Sequence, residues 1–242
     1  MPFTVSHVAA AAPLALVWRG RLVLSALVIG SMVPDLTLLV PGLFDRDVGR
    51  SIGGVVVFCV PAGLLLLALW HTFLKEPVLE LLPAAVRRRL VFSARRRRAL
   101  NVAIVLNAAA AVGAGALTHV LWDSVTHSDG WIVQRATWLE STFTVGGLHV
   151  PVYRLLQHGS SLAGLILTAG MFVVWVNRRE PIALRERMTV QQRALLRATW
   201  LGLTVGFGAI FLRFELAHAD SSTVYTTFGR PVVAAMRGFA VA

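Results

Sequence analysis

From Ser51 to Leu74 the chain carries no charged residue. A helix needs roughly 20 apolar residues to cross the hydrocarbon core of a bilayer, and this run supplies them. Ala99 to Trp122 offers a second such run, with Asn101 and Asn107 as polar interruptions. Leu155 to Val176 and Ala198 to Leu212 are the next candidates. Thr223 to Ala242 is weaker, because Arg230, Pro231 and Arg237 interrupt it. These runs predict an all-α fold: a polytopic transmembrane helical bundle of about five or six membrane segments. Residues 1–242 then form a single integral membrane domain, in which 177–242 supply C-terminal helices.

The N-terminal stretch adds a further element. His7 to Val17 is apolar, Trp18-Arg19-Gly20-Arg21 breaks it, and Leu22 to Val33 is apolar again. A tilted single span would place two arginines near the bilayer centre, at ~2.5 kcal/mol or more each. Two short helices folded at Gly20 avoid that cost. Such a hairpin brings His7 and Asp35 to the same side.

Composition supports the membrane reading. The chain is 56% hydrophobic and 14% charged, with mean hydropathy +0.70, where soluble domains carry about a quarter charged residues. The net charge of +11 would suggest nucleic acid in a soluble protein. Here the arginines sit in the gaps between apolar runs, where the positive-inside rule accounts for them. The expected partners are membrane lipids, with no nucleic acid. The segment 75–98 holds eight basic residues and two acids, and 177–197 holds six and two. Both are expected on the cytoplasmic side of a bacterial plasma (inner) membrane. The intervening segment from Asp123 to Tyr153 has one Arg and three acids and is expected outside. The lone Cys59 cannot form an internal disulfide, and no removable signal peptide is evident. The small residues from Ala108 to Gly115 allow close helix packing, within the chain or in a homo-oligomer.

The residues with chemical potential gather in one motif. His119, Asp123 and His127 are spaced i, i+4 and i+8. On a helix they fall within about 80° of one face. Two imidazoles and a carboxylate on one face suit a divalent metal of borderline softness, zinc foremost. Thr118, Ser124 and Thr126 can hydrogen-bond around them. Asp35 follows Gly30-Ser31-Met32-Val33-Pro34, where the proline ends the apolar segment and leaves the carboxylate at its mouth. His7 opens the first apolar segment, and His158 opens the helix beginning near Leu155. In the topology above, Asp35, the His119 helix end and His158 reach the outer face, and the hairpin adds His7. The candidate metal ligands are therefore His7, Asp35, His119, Asp123, His127 and His158. Asp123 and Asp35 are the candidate general bases. His71 reads as an interfacial anchor, and His149 and His218 have no assigned role. Trp122 and Trp131 flank the site, where they can line a lipid entrance.

The chain resembles an uncharacterised family of prokaryotic membrane proteins, the domain-of-unknown-function family 4184, over most of its length to about Val176. The resemblance rests on Met1-Pro2-Phe3-Thr4-Val5-Ser6-His7, Gly30-Ser31-Met32-Val33-Pro34-Asp35 and Phe58-Cys59-Val60-Pro61-Ala62-Gly63. It continues in Leu117-Thr118-His119 through Asp123-Ser124-Val125-Thr126-His127, and in Pro151-Val152-Tyr153 through Gln157-His158-Gly159-Ser160-Ser161. The early His, Gly-x-x-x-Pro-Asp and Thr-His-x-x-x-Asp with a further His are also similar, more distantly, to the zinc-dependent phospholipase C group. Inner-membrane proteins described as metal-dependent hydrolases share the pattern. That resemblance implies His7, Asp35, His119, Asp123 and His127 as zinc ligands that activate water for phosphodiester cleavage. The later His-x-x-x-Glu of those phospholipases is missing, since Gly159-Ser160-Ser161-Leu162 follows His158. Arg50 stands where relatives often carry a His. The implied site thus holds one or two metals rather than three.

Two functions remain open at this level. One is a membrane-embedded metal-dependent hydrolase acting on a lipid phosphoester at the outer face. The other is a non-enzymatic membrane protein whose His/Asp cluster is a structural metal site or a proton or ion relay. No serine-hydrolase, phosphate-loop or dinucleotide fingerprint is present.

Overall fold

A computed structural model describes residues 4–17, 24–39, 46–95, 101–145, 148–183 and 188–217. Among the described residues the fold is helical apart from one antiparallel pair of strands. After a 3-10 turn at Thr4–Ser6 come α1 (His7–Val17) and α2 (Leu24–Gly30). A second 3-10 turn, Val33–Asp35, leads into α3 (Leu36–Leu39), followed by α4 (Arg46–Arg50). The long helix α5 (Ile52–Leu81) contains two π-helical stretches, Val55–Cys59 and Trp70–Leu74. Next come α6 (Ala84–Arg95), α7 (Val102–Thr126) and the short α8 (Thr137–Glu140). An antiparallel pair, β1 (Thr142–Val145) and β2 (Leu148–Pro151), sets Thr142 opposite Pro151. The last helices are α9 (Val152–Asn177) and α10 (Val190–Ala217).

Among the described residues, three helices are long and apolar enough to cross a membrane: α5, α7 and α9. The expectation of five or six segments goes further than these three. The run Ala198–Leu212 lies inside α10, which is not one of the three. Arg197 and Arg213 bracket it short of the roughly 20 apolar residues a span requires. α1 and α2 are separate apolar helices too short to span alone. The expected turn at Trp18–Arg21, the run Thr223–Ala242 and His218 lie outside the described residues.

The chain divides into two compact units. The first, Met1–Thr72 with Arg97–Trp175, is built around α7. Asn101 starts α7 as an N-cap, accepting a hydrogen bond from the Ile104 amide at 2.9 Å. One core layer joins Ala11 of α1, Ala26 and Leu27 of α2, Leu67 of α5, and Ala108, Ala111 and Val112 of α7. A second joins Val33, Val55, Cys59, Ala116 and Val120. The small residues of α7 let α2 approach backbone to backbone. A Cβ added at Gly115 would stand 2.7 Å from the Ser31 nitrogen, and one at Gly30 would stand 2.7 Å from Val112 Cα. The Ala108–Gly115 stretch is therefore used inside the chain.

The second unit, Phe73–Arg96 with Val176–Ala242, gathers both basic segments. Arg89 donates to the carbonyls of Asn177 at 3.2 Å and Arg179 at 2.6 Å. Arg197 donates to those of Leu81 and Leu82 at 2.7 and 2.9 Å. Glu80 stands between Arg193 at 3.5 Å and Arg87 at 3.9 Å.

Candidate metal centre

The site forms where α1 begins, α2 ends and α7 ends, all within the first unit. The 25-residue helix α7 runs through Thr126, past the expected end at Trp122, so His119 and Asp123 both lie on it. His127 is its C-cap residue, in extended conformation, and its amide donates to the Asp123 carbonyl at 3.0 Å. Close packing of α2 brings the Ser31 carbonyl to 2.8 Å from His119 Nδ1. A carbonyl only accepts, so Nδ1 carries a proton. Nε2 is the ring nitrogen that faces the site, where it can ligate once deprotonated. Pro34 sits at the start of the following 3-10 turn and delivers Asp35, 4% exposed, beside it. Thr4 Oγ1 donates to Asp35 Oδ2 at 2.7 Å. His7 and Asp35 thus both stand beside His119.

Three groups converge most tightly. His7, His119 and Asp123 each offer a ligand atom within 4.8 Å of the others, and all three are buried. The His7 and His119 rings stack, with centroids 3.7 Å apart and 15° between planes. Both Nε2 atoms face the same carboxylate: His7 Nε2 is 3.6 Å from Asp123 Oδ1, and His119 Nε2 is 3.3 Å from Oδ2. Asp35 Oδ1 lies 3.5 Å from His119 Nε2 on the other side.

These separations test the fit of a metal. N–H···O hydrogen bonds run about 2.7–3.2 Å. Among the described residues, neither ring nitrogen of His7, nor His119 Nε2, nor either Asp123 oxygen has a hydrogen-bond partner, although all are buried. Buried polar atoms are costly to leave unmatched. Two ligands each about 2.0–2.1 Å from a tetrahedral ion stand roughly 3.3–3.4 Å apart. The contacts of 3.3 to 3.6 Å suit donors arranged around an ion better than donors bonded to each other. The His/His/carboxylate group can hold a divalent metal, and the Ser31 carbonyl on His119 Nδ1 is the support such a ligand needs.

His127 plays a different part. Its Nδ1 lies 3.4 Å from Asp123 Oδ1. Its Nε2 lies 3.0 Å from Gln157 Nε2. An amide nitrogen only donates, so His127 Nε2 accepts and Nδ1 carries the hydrogen, with Thr126 Oγ1 at 3.3 Å as its hydrogen-bond partner and Asp123 Oδ1 close by at 3.4 Å. Burial pushes the imidazole below its ordinary pKa, against the opposing pull of Asp123. His127 is therefore placed to orient Asp123 from behind.

His158 does not join the cluster. It is exposed, whereas Gln157 one position earlier is 7% exposed and reaches His127. The inward face of α9 is Gln157, Ser161 and Gly164, spaced i, i+4 and i+7. A Cβ at Gly164 would stand 2.8 Å from the Ser6 carbonyl oxygen. That polar and small stripe was the signal that sequence reading passed over in favour of the histidine. Trp122, 41% exposed, donates its indole N–H to Ser160 Oγ at 3.1 Å. His149 lies on β2, exposed, beside Thr144.

Arg50 was expected only as a replaced ligand. Its Nη2 lies 3.4 Å from Asp123 Oδ2 and its Nη1 lies 3.5 Å from Asp129.

The family model for a domain of unknown function (DUF4184) matches residues 1–242. The chain belongs to this family. The match runs through the C-terminal helices, beyond the expected limit near Val176. No curated protein and no solved structure matches this DUF4184 chain, so the phospholipase resemblance has no support from that direction.

Proposed function

We propose that this DUF4184 protein is a membrane-embedded metal-dependent hydrolase, with zinc as the preferred metal and a phosphoester as substrate class. The observation that carries the reading is the buried His7/His119/Asp123 group, three ligand atoms within 4.8 Å of one another. Two imidazoles and a carboxylate form a donor set used by hydrolytic zinc sites. A bound divalent metal would supply a water acidified to near neutrality and a Lewis acid for the scissile group. The chain's own residues arrange the rest. The Ser31 carbonyl fixes the His119 tautomer. Thr4 occupies one oxygen of Asp35 and leaves the other facing His119, where it can take a proton from a nucleophile. His127, set by Gln157, steadies Asp123.

Location supports a site near the outer face. The two basic segments hydrogen-bond to each other and so belong to one side. By the positive-inside rule that side is cytoplasmic in a plasma membrane. Asp123 lies 21 residues beyond Val102 (123 − 102), or about 32 Å along α7 at 1.5 Å per residue. That is close to the thickness of the hydrocarbon core. We take the end of α7 that carries Asp123 as the outer one, which would set the His/Asp cluster at headgroup depth, within reach of lipid phosphoesters.

The test is elemental analysis of the purified full chain after zinc loading, with His119→Ala and Asp123→Asn alongside, and an assay on a chromogenic phosphodiester. The expected result is stoichiometric metal in the natural chain and none in folded variants that have lost turnover. Folded natural chain that takes up no metal overturns the reading. Metal uptake without hydrolysis, with both variants unfolding, favours the non-enzymatic structural site instead.

A further inference from the structure

Arg50 is held in place from both sides. It closes α4, and Ser51 follows in extended conformation as the N-cap of α5, accepting from the Gly54 amide at 2.9 Å. Gly49, just before it, lies against the carbonyl of Pro34, where an added Cβ would stand 2.6 Å from the oxygen. The Cys59 thiol lies 3.6 Å from the Gly49 carbonyl oxygen. The backbone that carries Arg50 therefore rests on the same turn that presents Asp35. This arginine is seated as firmly as the candidate ligands.

Its guanidinium is spread thinly over two carboxylates. Asp123 is buried, while the Asp129 side chain is 63% exposed. Arg50 itself, at 13%, stands between the enclosed cluster and the surface. A guanidinium dedicated to one carboxylate closes to about 2.7–2.9 Å, commonly with two parallel bonds. Here the approaches are 3.4 and 3.5 Å, and among the described residues the buried Nη2 has no hydrogen-bond partner. Donors of a planar fork are thus left available at the edge of the proposed metal seat. A fork of that kind matches the paired oxygens of a phosphate, and a neutral ester would not use its charge.

We propose that Arg50 is the specificity-determining residue of this site, binding an anionic phosphate oxygen of the substrate in place of its contact with Asp129. The inference rests on the metal reading above. The shared ligand chemistry is a phosphate oxyanion, carried by a lipid headgroup or by a water-soluble phosphate. The experiment is titration of inorganic phosphate into the zinc-loaded full chain, freed of unbound zinc, with metal content measured in parallel. Repetition in nanodiscs of phosphatidylcholine with and without phosphatidic acid separates the sources: competition by phosphatidic acid identifies a headgroup, and its absence identifies soluble phosphate. Arg50→Gln is expected to weaken phosphate binding at least tenfold with zinc content unchanged. Arg50→Lys, which keeps the charge but not the fork, is expected to fall between, and Asp129→Asn to bind phosphate at least as tightly as the natural chain. Unchanged phosphate affinity in Arg50→Gln, with zinc retained, overturns this inference alone. Joint loss of zinc and phosphate in both Arg50 variants also overturns it, because Arg50 would then belong to the metal seat. Absence of zinc from the natural chain removes the metal reading and this inference with it.

Discussion

Gly115→Ala is a one-methyl change that should reach the metal centre without touching it. The new Cβ would stand 2.7 Å from the Ser31 nitrogen, whereas ordinary contact begins near 3.4 Å. The Leu27 carbonyl oxygen would be closer still, so α2 must retreat by more than 0.7 Å (3.4 − 2.7). If α2 moves as a rigid body, the His119–Ser31 bond lengthens from 2.8 Å to about 3.5 Å or more, the outer edge of a hydrogen bond. Overpacking of this kind costs about 1–3 kcal/mol. A weakened buried hydrogen bond adds about 1 kcal/mol. The expected destabilisation is therefore about 2–4 kcal/mol. Loss of the group that orients a ligand should also weaken metal binding roughly 10- to 100-fold. Gly113→Ala is the control. Its Cβ would meet only Val60 Cγ2 at 3.5 Å, an ordinary contact. Replacing a helical glycine by alanine favours the helix by up to about 1 kcal/mol, so this variant should be neutral or slightly stabilised. Unfolding in detergent and competition against a metal indicator measure both effects. Equal behaviour of the two variants would refute the backbone-to-backbone contact of α2 with α7 and its link to His119.

Three further outcomes follow from the site. Gln157→Ala should weaken metal binding about 10-fold or more by releasing His127 and Asp123, while His158→Ala should leave it unchanged; the opposite order in a metal titration would show that the register of α9 is wrong. Chelation should lower the melting temperature of the zinc-loaded chain, by about 2.7 kcal/mol of stability from a free-metal level of 100 times Kd, and should have no effect on His119→Ala. Ser51→Ala should cost about 1 kcal/mol through its lost cap, measured by chemical denaturation, and should also lower phosphate affinity because Arg50 is the next residue.

Much of the fold can be read from hydropathy because burial in lipid leaves a one-dimensional trace. The runs at 51–74, 99–122 and 155–176 correspond to the cores of α5, α7 and α9, and the ends differ where polar residues continue a helix. Asp123 is the clearest instance. A charge reads as the end of a span, yet the helix continues because the side chain turns inward toward His7 and His119. Ala198–Leu212 lies within α10, where arginines bracket the apolar run.

The His119, Asp123 and His127 spacing by itself put one polar face on one helix, and Pro34-Asp35 put a carboxylate at the end of another segment. Local geometry dictates that much, because a residue's neighbours along a helix follow from its 3.6-residue period. Only the tertiary structure decided which of these residues act together. His7, 112 positions from His119 (119 − 7), joins it through helix packing, and the glycines that permit that packing carry no chemical signature of their own. The same packing sets His127 behind Asp123, replaces His158 by Gln157 as the residue α9 offers, and brings Arg50 to the rim. Periodicity along one helix specifies a face, but the phase of one helix against another depends on steric contacts between segments far apart in sequence. The membrane character of the chain is therefore written in its sequence, and the composition of the candidate metal centre in its folding.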